Sequence, residues 1–124
     1  MNAEQTCKII DALKFDFVEI TGGHPEGTHQ TIRKGNDEYY YKDIVQALAA
    51  KKLLEKQPVI VTGGFQGVAD GEAALKDGVA AVGYCRKFLR NDRFILKDDS
   101  KCMHCNHCTS GFGKVQEVEC AFNK

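Results

Sequence analysis

Apolar residues fall along the chain in two alternating periods. Cys7, Ile10 and Leu13 recur at helical spacing, and Asn2 and Gln5 ahead of them form a capping-box pattern. Residues 15–21 (FDFVEIT) alternate aromatic or β-branched side chains with polar ones as far as Gly22-Gly23, which predicts a strand. Residues 24–36 are polar, a long loop of the kind that compact domains keep for function or leave poorly ordered. A helix follows over 37–57, with Tyr41, Ile44, Val45, Leu48 and Leu53 as its apolar face and Asn36 or Asp37 as its cap. Residues 58–62 (PVIVT) are apolar without polar alternation, the mark of a strand covered on both faces. A second helix is predicted over 67–77 with Gly78 as its stop, then a short apolar strand over 79–84. Residues 86–96 read as one or two short helices with Asn91 as a cap between them.

Strand, helix, strand, helix, strand, helix is the order of consecutive βα units in a parallel α/β sheet. After Lys97 the hydrophobic period stops and the chain becomes polar and rich in cysteine. This divides the 124 residues into an α/β part, 1–97, and an irregular cysteine-rich segment, 98–124. The 17 basic and 17 acidic residues cancel, so nothing in the overall field favours nucleic acid or an acidic membrane surface. No apolar run reaches the roughly 20 residues of a bilayer span. The first residues lack a basic region followed by an apolar stretch, so the expected compartment is the cytoplasm.

The first two predicted strands each run into a Gly-Gly pair, and the third is interrupted by Gly83. Ligands of parallel sheets sit beyond the carboxyl ends of the strands, where these glycines lie. At Gly63-Gly64 the backbone amides can approach an anion closely, and the following helix start adds partial positive charge. Gly83 does the same one unit later, with Arg86 able to fork onto a phosphate. Two adjacent strand ends could together cradle one phosphoryl group. Either turn alone is equally well explained as ordinary strand-to-helix punctuation.

Four of the six cysteines, Cys102, Cys105, Cys108 and Cys120, lie in the last 23 residues. In a reducing compartment such a cluster reads as a metal site before it reads as disulfides. Four thiolates can hold a 4Fe-4S cluster, for which closely spaced Cys-x2-Cys-x2-Cys runs are the usual mark. They can also hold one tetrahedral zinc, but the arrangement is three plus one rather than two symmetric knuckles. His104 and His107 sit between the cysteines and could each replace a thiolate at zinc; the simpler reading leaves them facing solvent. Loop histidines His24 and His29 are likewise read as solvated, and Lys51, Lys52 and Lys56 as a solvated helix end.

Taken together, DFVEITGG (16–23), PVIVTGGF (58–65), EAALKDG (72–78), AVGYCRKFLRND (81–92) and the CMHCNHC…CAFN segment (102–123) resemble one family. They resemble the C-terminal part of the NADH:flavin oxidoreductases of the Old Yellow Enzyme family, in the branch with a four-iron cluster typified by 2,4-dienoyl-CoA reductase and trimethylamine dehydrogenase. The resemblance covers nearly the whole chain but only about the last third of that family's barrel domain. It implies a partial (β/α)8 TIM barrel, strands six to eight with their helices. It implies an FMN site gripped at the phosphate by Gly63, Gly64, Gly83 and Arg86, and Cys102, Cys105, Cys108 and Cys120 as the cluster ligands. In the complete enzyme NAD(P)H and an unsaturated carbonyl-type substrate would be the reaction partners.

Two departures bear on activity. The family's strand-eight loop usually reads Gly-Arg, and here Cys85 precedes Arg86, which impairs the amide approach to a phosphate. Nothing in the chain matches strands one to five, the residues that hold the flavin ring, the pair that binds the substrate carbonyl or the proton donor. A closed barrel typically needs about 250 residues and at least about 200. The chain is therefore expected to leave two apolar strand edges unpaired, to associate through them, and to have little ene-reductase activity by itself. The reading from a different class is a small non-catalytic module that binds zinc or an iron–sulfur cluster.

Overall fold

The structure, a computed structural model, describes residues 2–21, 41–97, 102–103, 105–109 and 120–122. The expectations for Gly22-Gly23, His24, His29, Asn36, Asp37 and His104 concern positions outside these residues. In chain order the elements are α1 (Ala3–Ala12), β1 (Val18–Ile20), α2 (Lys42–Ala50), β2 (Val59–Thr62), α3 (Val68–Lys76), β3 (Ala81–Gly83), α4 (Arg86–Arg90) and α5 (Phe94–Lys97). A 3-10 turn, His107–Thr109, lies among the described residues of the cysteine-rich segment.

Three strands form one parallel sheet in the order β1-β2-β3. Val18 pairs with Val59 and Ile20 with Val61; Ile60 then pairs with Ala81 and Thr62 with Gly83. Strand residues alternate between faces, so this register sorts them cleanly. Ile20, Val59 and Val61 are buried on one face, in a core shared with Cys7 and Ile10 of α1, with Ile44, Val45 and Leu48 of α2, and with Ala74 of α3. Glu19, Ile60, Thr62, Ala81 and Gly83 form the other face, and none of them is buried. The expectation that residues 58–62 are covered on both faces is corrected here: only alternate side chains of β2 are buried. The chain is a small α/β unit with an open three-stranded parallel sheet, and α1, α2 and α3 share the core on its buried face.

Local rules explain most boundaries. The capping box closes at α1, where Asn2 Oδ1 accepts from the Gln5 amide at 3.0 Å and Gln5 Oε1 accepts from the Asn2 amide at 3.2 Å. The other end of α1 is satisfied from a distance: Gln57 is buried and its Nε2 donates to the Ile10 and Leu13 carbonyls at 3.1 and 2.5 Å. Leu13 itself is exposed, which corrects its place on the apolar face of α1. The first strand is also shorter than its pattern. Phe15 and Phe17 are exposed beside it, lining an open cleft of about 350 Å³ with Lys14 and Asp16.

The helix expected over 37–57 ends at Ala50 instead. Lys52 has φ 55°, and the chain closes with two bonds, Lys52 N–H to the Ala49 carbonyl at 2.9 Å and Leu53 N–H to the Leu48 carbonyl at 2.9 Å. That pair is a Schellman cap with lysine in the left-handed position that glycine usually holds. The same two bonds close α3, from Gly78 to Leu75 and from Val79 to Ala74, with Gly78 at φ 103°. Lys52→Gly is therefore expected to stabilise the protein by about 1 kcal/mol, since a left-handed residue with a Cβ carries a steric cost of that order. A thermal melt checks this; an unchanged or lowered midpoint refutes it.

Candidate metal centre

The carboxyl ends of β2 and β3 meet in a row of small and polar groups. Thr62 stands between Glu19 and Gly83, and its hydroxyl donates to Glu19 Oε1 at 2.8 Å. Gly63 and Gly64 both adopt positive φ, 129° and 86°, so the turn leaving β2 depends on two residues without a Cβ. The helix start beyond it already has an anion: Asp70 Oδ2 accepts from the Gln66 and Gly67 amides at 2.6 and 3.1 Å. A phosphate gripped by Gly63 and Gly64 would have to share that turn with the Asp70 carboxylate.

Beyond β3 the chain builds an aromatic row. Phe65 and Tyr84 are 5.4 Å apart between ring centroids, Tyr84 and Phe94 5.0 Å, and Phe94 and Phe88 5.7 Å, at tilted to edge-on angles. Phe94 is completely buried at its middle, and the Tyr84 hydroxyl donates to the Gly67 carbonyl at 3.1 Å. The row ties α4, through Phe88, and α5, through Phe94, to Tyr84 and Phe65, which follow β3 and β2. Asn91 ends the first of these helices as expected, its Oδ1 accepting from the Arg93 amide at 2.9 Å.

Arg86, the first residue of α4, reaches the cysteine-rich segment. Together with Arg90 it lines a cavity of about 20 Å³ that Cys102, Cys105, Cys108 and Cys120 line as well. His107 lines the same cavity and is exposed. All six cysteines are free thiols: Cys7 is buried in the core, Cys85 is exposed, and the other four share this one space. Burial pushes the Cys108 thiol up; the Arg86 charge opposes that rise, while Cys102 and Cys120 add to it. That mutual influence places the three sulfurs in one electrostatic neighbourhood.

The donor set suits a thiophilic metal, four sulfurs on one cavity with a cation beside them. As the side chains stand, no three His, Cys, Asp or Glu among the described residues converge closely enough to hold an ion. The cysteines would have to turn inward to close a ligand set. Zinc would be held by the four thiolates, or by three with His107; a 4Fe-4S cluster would take all four.

The sign of the Cys108 shift gives a pH dependence for the metal-free chain. An unfolded thiol releases its proton near pH ~8.5, whereas native Cys108 keeps it to higher pH. The native state then binds more protons, so stability is expected to fall as pH rises through that range. Urea titrations at increasing pH test it, and Cys108→Ala should flatten the trend.

Sequence reasoning missed the residues that dock this segment. Asn106 is only 3% exposed with φ 65°, and its Oδ1 accepts a hydrogen bond from Arg86 Nη1. Lys87, 5% exposed, donates through Nζ to the Cys102 carbonyl at 3.4 Å. Arg90 lies 5.9 Å over the Phe122 ring. The available signal was asparagine between two cysteines, since asparagine and aspartate are the residues that, after glycine, enter left-handed backbone most readily. Among the described residues no helix is long and apolar enough to cross a membrane. The chain matches no protein-family model, no curated protein and no solved structure.

Proposed function

We propose that this chain is the C-terminal portion of an FMN-dependent NAD(P)H:flavin oxidoreductase of the Old Yellow Enzyme type, in the branch that carries a 4Fe-4S cluster. One observation carries the reading: Arg86 starts the helix that follows β3 and lines the same cavity as Cys102, Cys105, Cys108 and Cys120. The thiols thus lie next to the carboxyl end of a parallel sheet, where α/β proteins bind their ligands. A sequential parallel order with α1, α2 and α3 on one face is also what a slice of a (β/α)8 barrel would have. The bare face with Glu19, Thr62 and Gly83 would then be its interior.

In this reading Gly63, Gly64 and Gly83 bring backbone close to the FMN phosphate, and Arg86 supplies charge at the boundary between that site and the metal loop. Bound FMN would supply hydride transfer from NAD(P)H, and the cluster single-electron transfer. The outer strands β1 and β3 would pair with strands that these residues do not provide, with Phe15 and Phe17 as apolar surface beside the first edge. Without those strands the chain is expected to hold flavin weakly and to reduce no unsaturated carbonyl compound at an enzymatic rate.

A specific observation favours the zinc form of the second reading, a non-catalytic module that binds zinc or an iron–sulfur cluster: a cavity of about 20 Å³ has room for one water-sized guest. Anaerobic reconstitution with iron and sulfide separates the two. A broad visible sulfur-to-iron band that bleaches on reduction, with iron and sulfide in equal amounts, gives the cluster that the flavoprotein reading requires and removes the zinc module. A colourless protein that takes up one zinc and no iron overturns the flavoprotein reading.

A further inference from the structure

Three cations on one five-residue helix hold the cysteine-rich segment. Arg86 reaches the Asn106 side chain, Lys87 the Cys102 carbonyl, and Arg90 the Phe122 ring. Asn106 differs from an ordinary turn residue in two ways at once. It occupies left-handed backbone between Cys105 and Cys108, and its side chain is buried rather than solvated.

An exposed asparagine could adopt that turn alone, and a buried one needs its carbonyl oxygen satisfied. Arg86 supplies the donor. The turn that separates two candidate ligands is therefore fixed by a residue outside the cysteine-rich segment, anchored on the sheet through α4.

We propose that Arg86 and Asn106 act as a positioning pair, which sets the backbone of the Cys105–Cys108 turn in the metal-free protein, so that metal binding has only to turn the cysteine side chains inward and not to order the turn itself. This rests on the reading of the four cysteines as metal ligands and adds to it which other residues set the affinity. The physical basis is ordering entropy: a free loop must give up about 1–2 kcal/mol per backbone residue when it closes on an ion, and a docked loop has given it up already. Partners that orient ligands in this way commonly change metal affinity by about 10–100-fold. Arg86 also lies among the thiols as a charge, so the test has to separate geometry from electrostatics.

The experiment uses the full chain, reduced and stripped of metal under anaerobic conditions, with zinc affinity read by chelator competition. Cobalt is the spectroscopic probe, since thiolate-to-cobalt bands report how many sulfurs bind. Asn106→Gly keeps the left-handed turn and every charge but removes the acceptor. Arg86→Lys keeps the charge but loses the planar fork. Each is expected to weaken zinc about tenfold or more, and the double variant to be no weaker than the worse single one, because the two remove one interaction. The cobalt spectrum at saturation should still show the parent's sulfur count, since no ligand is lost.

Parent-like zinc affinity in Asn106→Gly overturns the proposal. So do losses that simply add in the double variant, which would mean that the residues act separately. If Arg86→Lys fails to fold by circular dichroism, Asn106→Gly against Asn106→Ala carries the test. Both lack the acceptor, so both must be weakened, and Ala further because it resists positive φ. A parent chain that binds neither zinc nor cobalt is a different result: the metal reading falls first, and this inference with it.

Discussion

Phe94→Ala is expected to be among the most damaging single substitutions in the chain, lowering stability by about 3–5 kcal/mol. Its ring is wholly buried and sits between Tyr84 and Phe88, so truncation removes one hydrophobic side chain and two ring pairs together. Single domains have only about 5–15 kcal/mol in total, so the loss is a large fraction of what holds this one. The damage should also be uneven. The aromatic row anchors α4, and α4 carries Arg86, Lys87 and Arg90, which dock the cysteine-rich segment. Hydrogen exchange should accelerate over 86–97 more than over β1 and α1. Uniform acceleration along the chain, or a melting midpoint within error of the parent, would show that the row does not have this role.

Gly83→Ala is expected to cost about 1–3 kcal/mol through overpacking. A Cβ at this position would collide with the Thr62 hydroxyl and come within 3.0 Å of Thr62 Cβ and 3.1 Å of its Cγ2. Rotating Thr62 swaps one of its branches for the other, and it also breaks the bond to Glu19. Two explanations of Gly83 can thus be told apart. If the glycine is there to let Thr62 fit, Thr62→Ala should restore much of the lost stability in the double variant. A double variant as unstable as Gly83→Ala alone would remove the packing explanation and leave anion approach as the reason for the glycine.

The order of elements was legible because each signal was local. The capping box at Asn2 and Gln5, the Gly78 stop, the Asn91 cap and the apolar run at 59–61 all act within a few residues, and all stand where the pattern put them. The failures came where a distant partner or an unusual residue decided. Lys52 ends α2 in a conformation that composition assigns to glycine, and Leu53 kept the helical period going past the break because it is buried for another reason. Residues 58–62 looked suited to a fully covered strand, but side-chain apolarity cannot say how many layers a sheet will have. The cysteines marked their cavity by spacing alone. Its walls could not be found that way: Arg86 and Asn106 are 20 residues apart, and their bond depends on how the chain folds between them.

Among the described residues the sheet is buried on one side only, and this leaves a calorimetric signature. Val59 and Val61 leave water on folding, while Ile60 and Ala81 on the reverse keep part of their hydration. Less apolar surface is newly wetted when such a layer comes apart than when a fully enclosed strand does. The heat-capacity increment of unfolding should accordingly lie below the usual ~12–15 cal/mol/K per residue, and the free-energy curve should be flatter with temperature than for an enclosed fold of equal length.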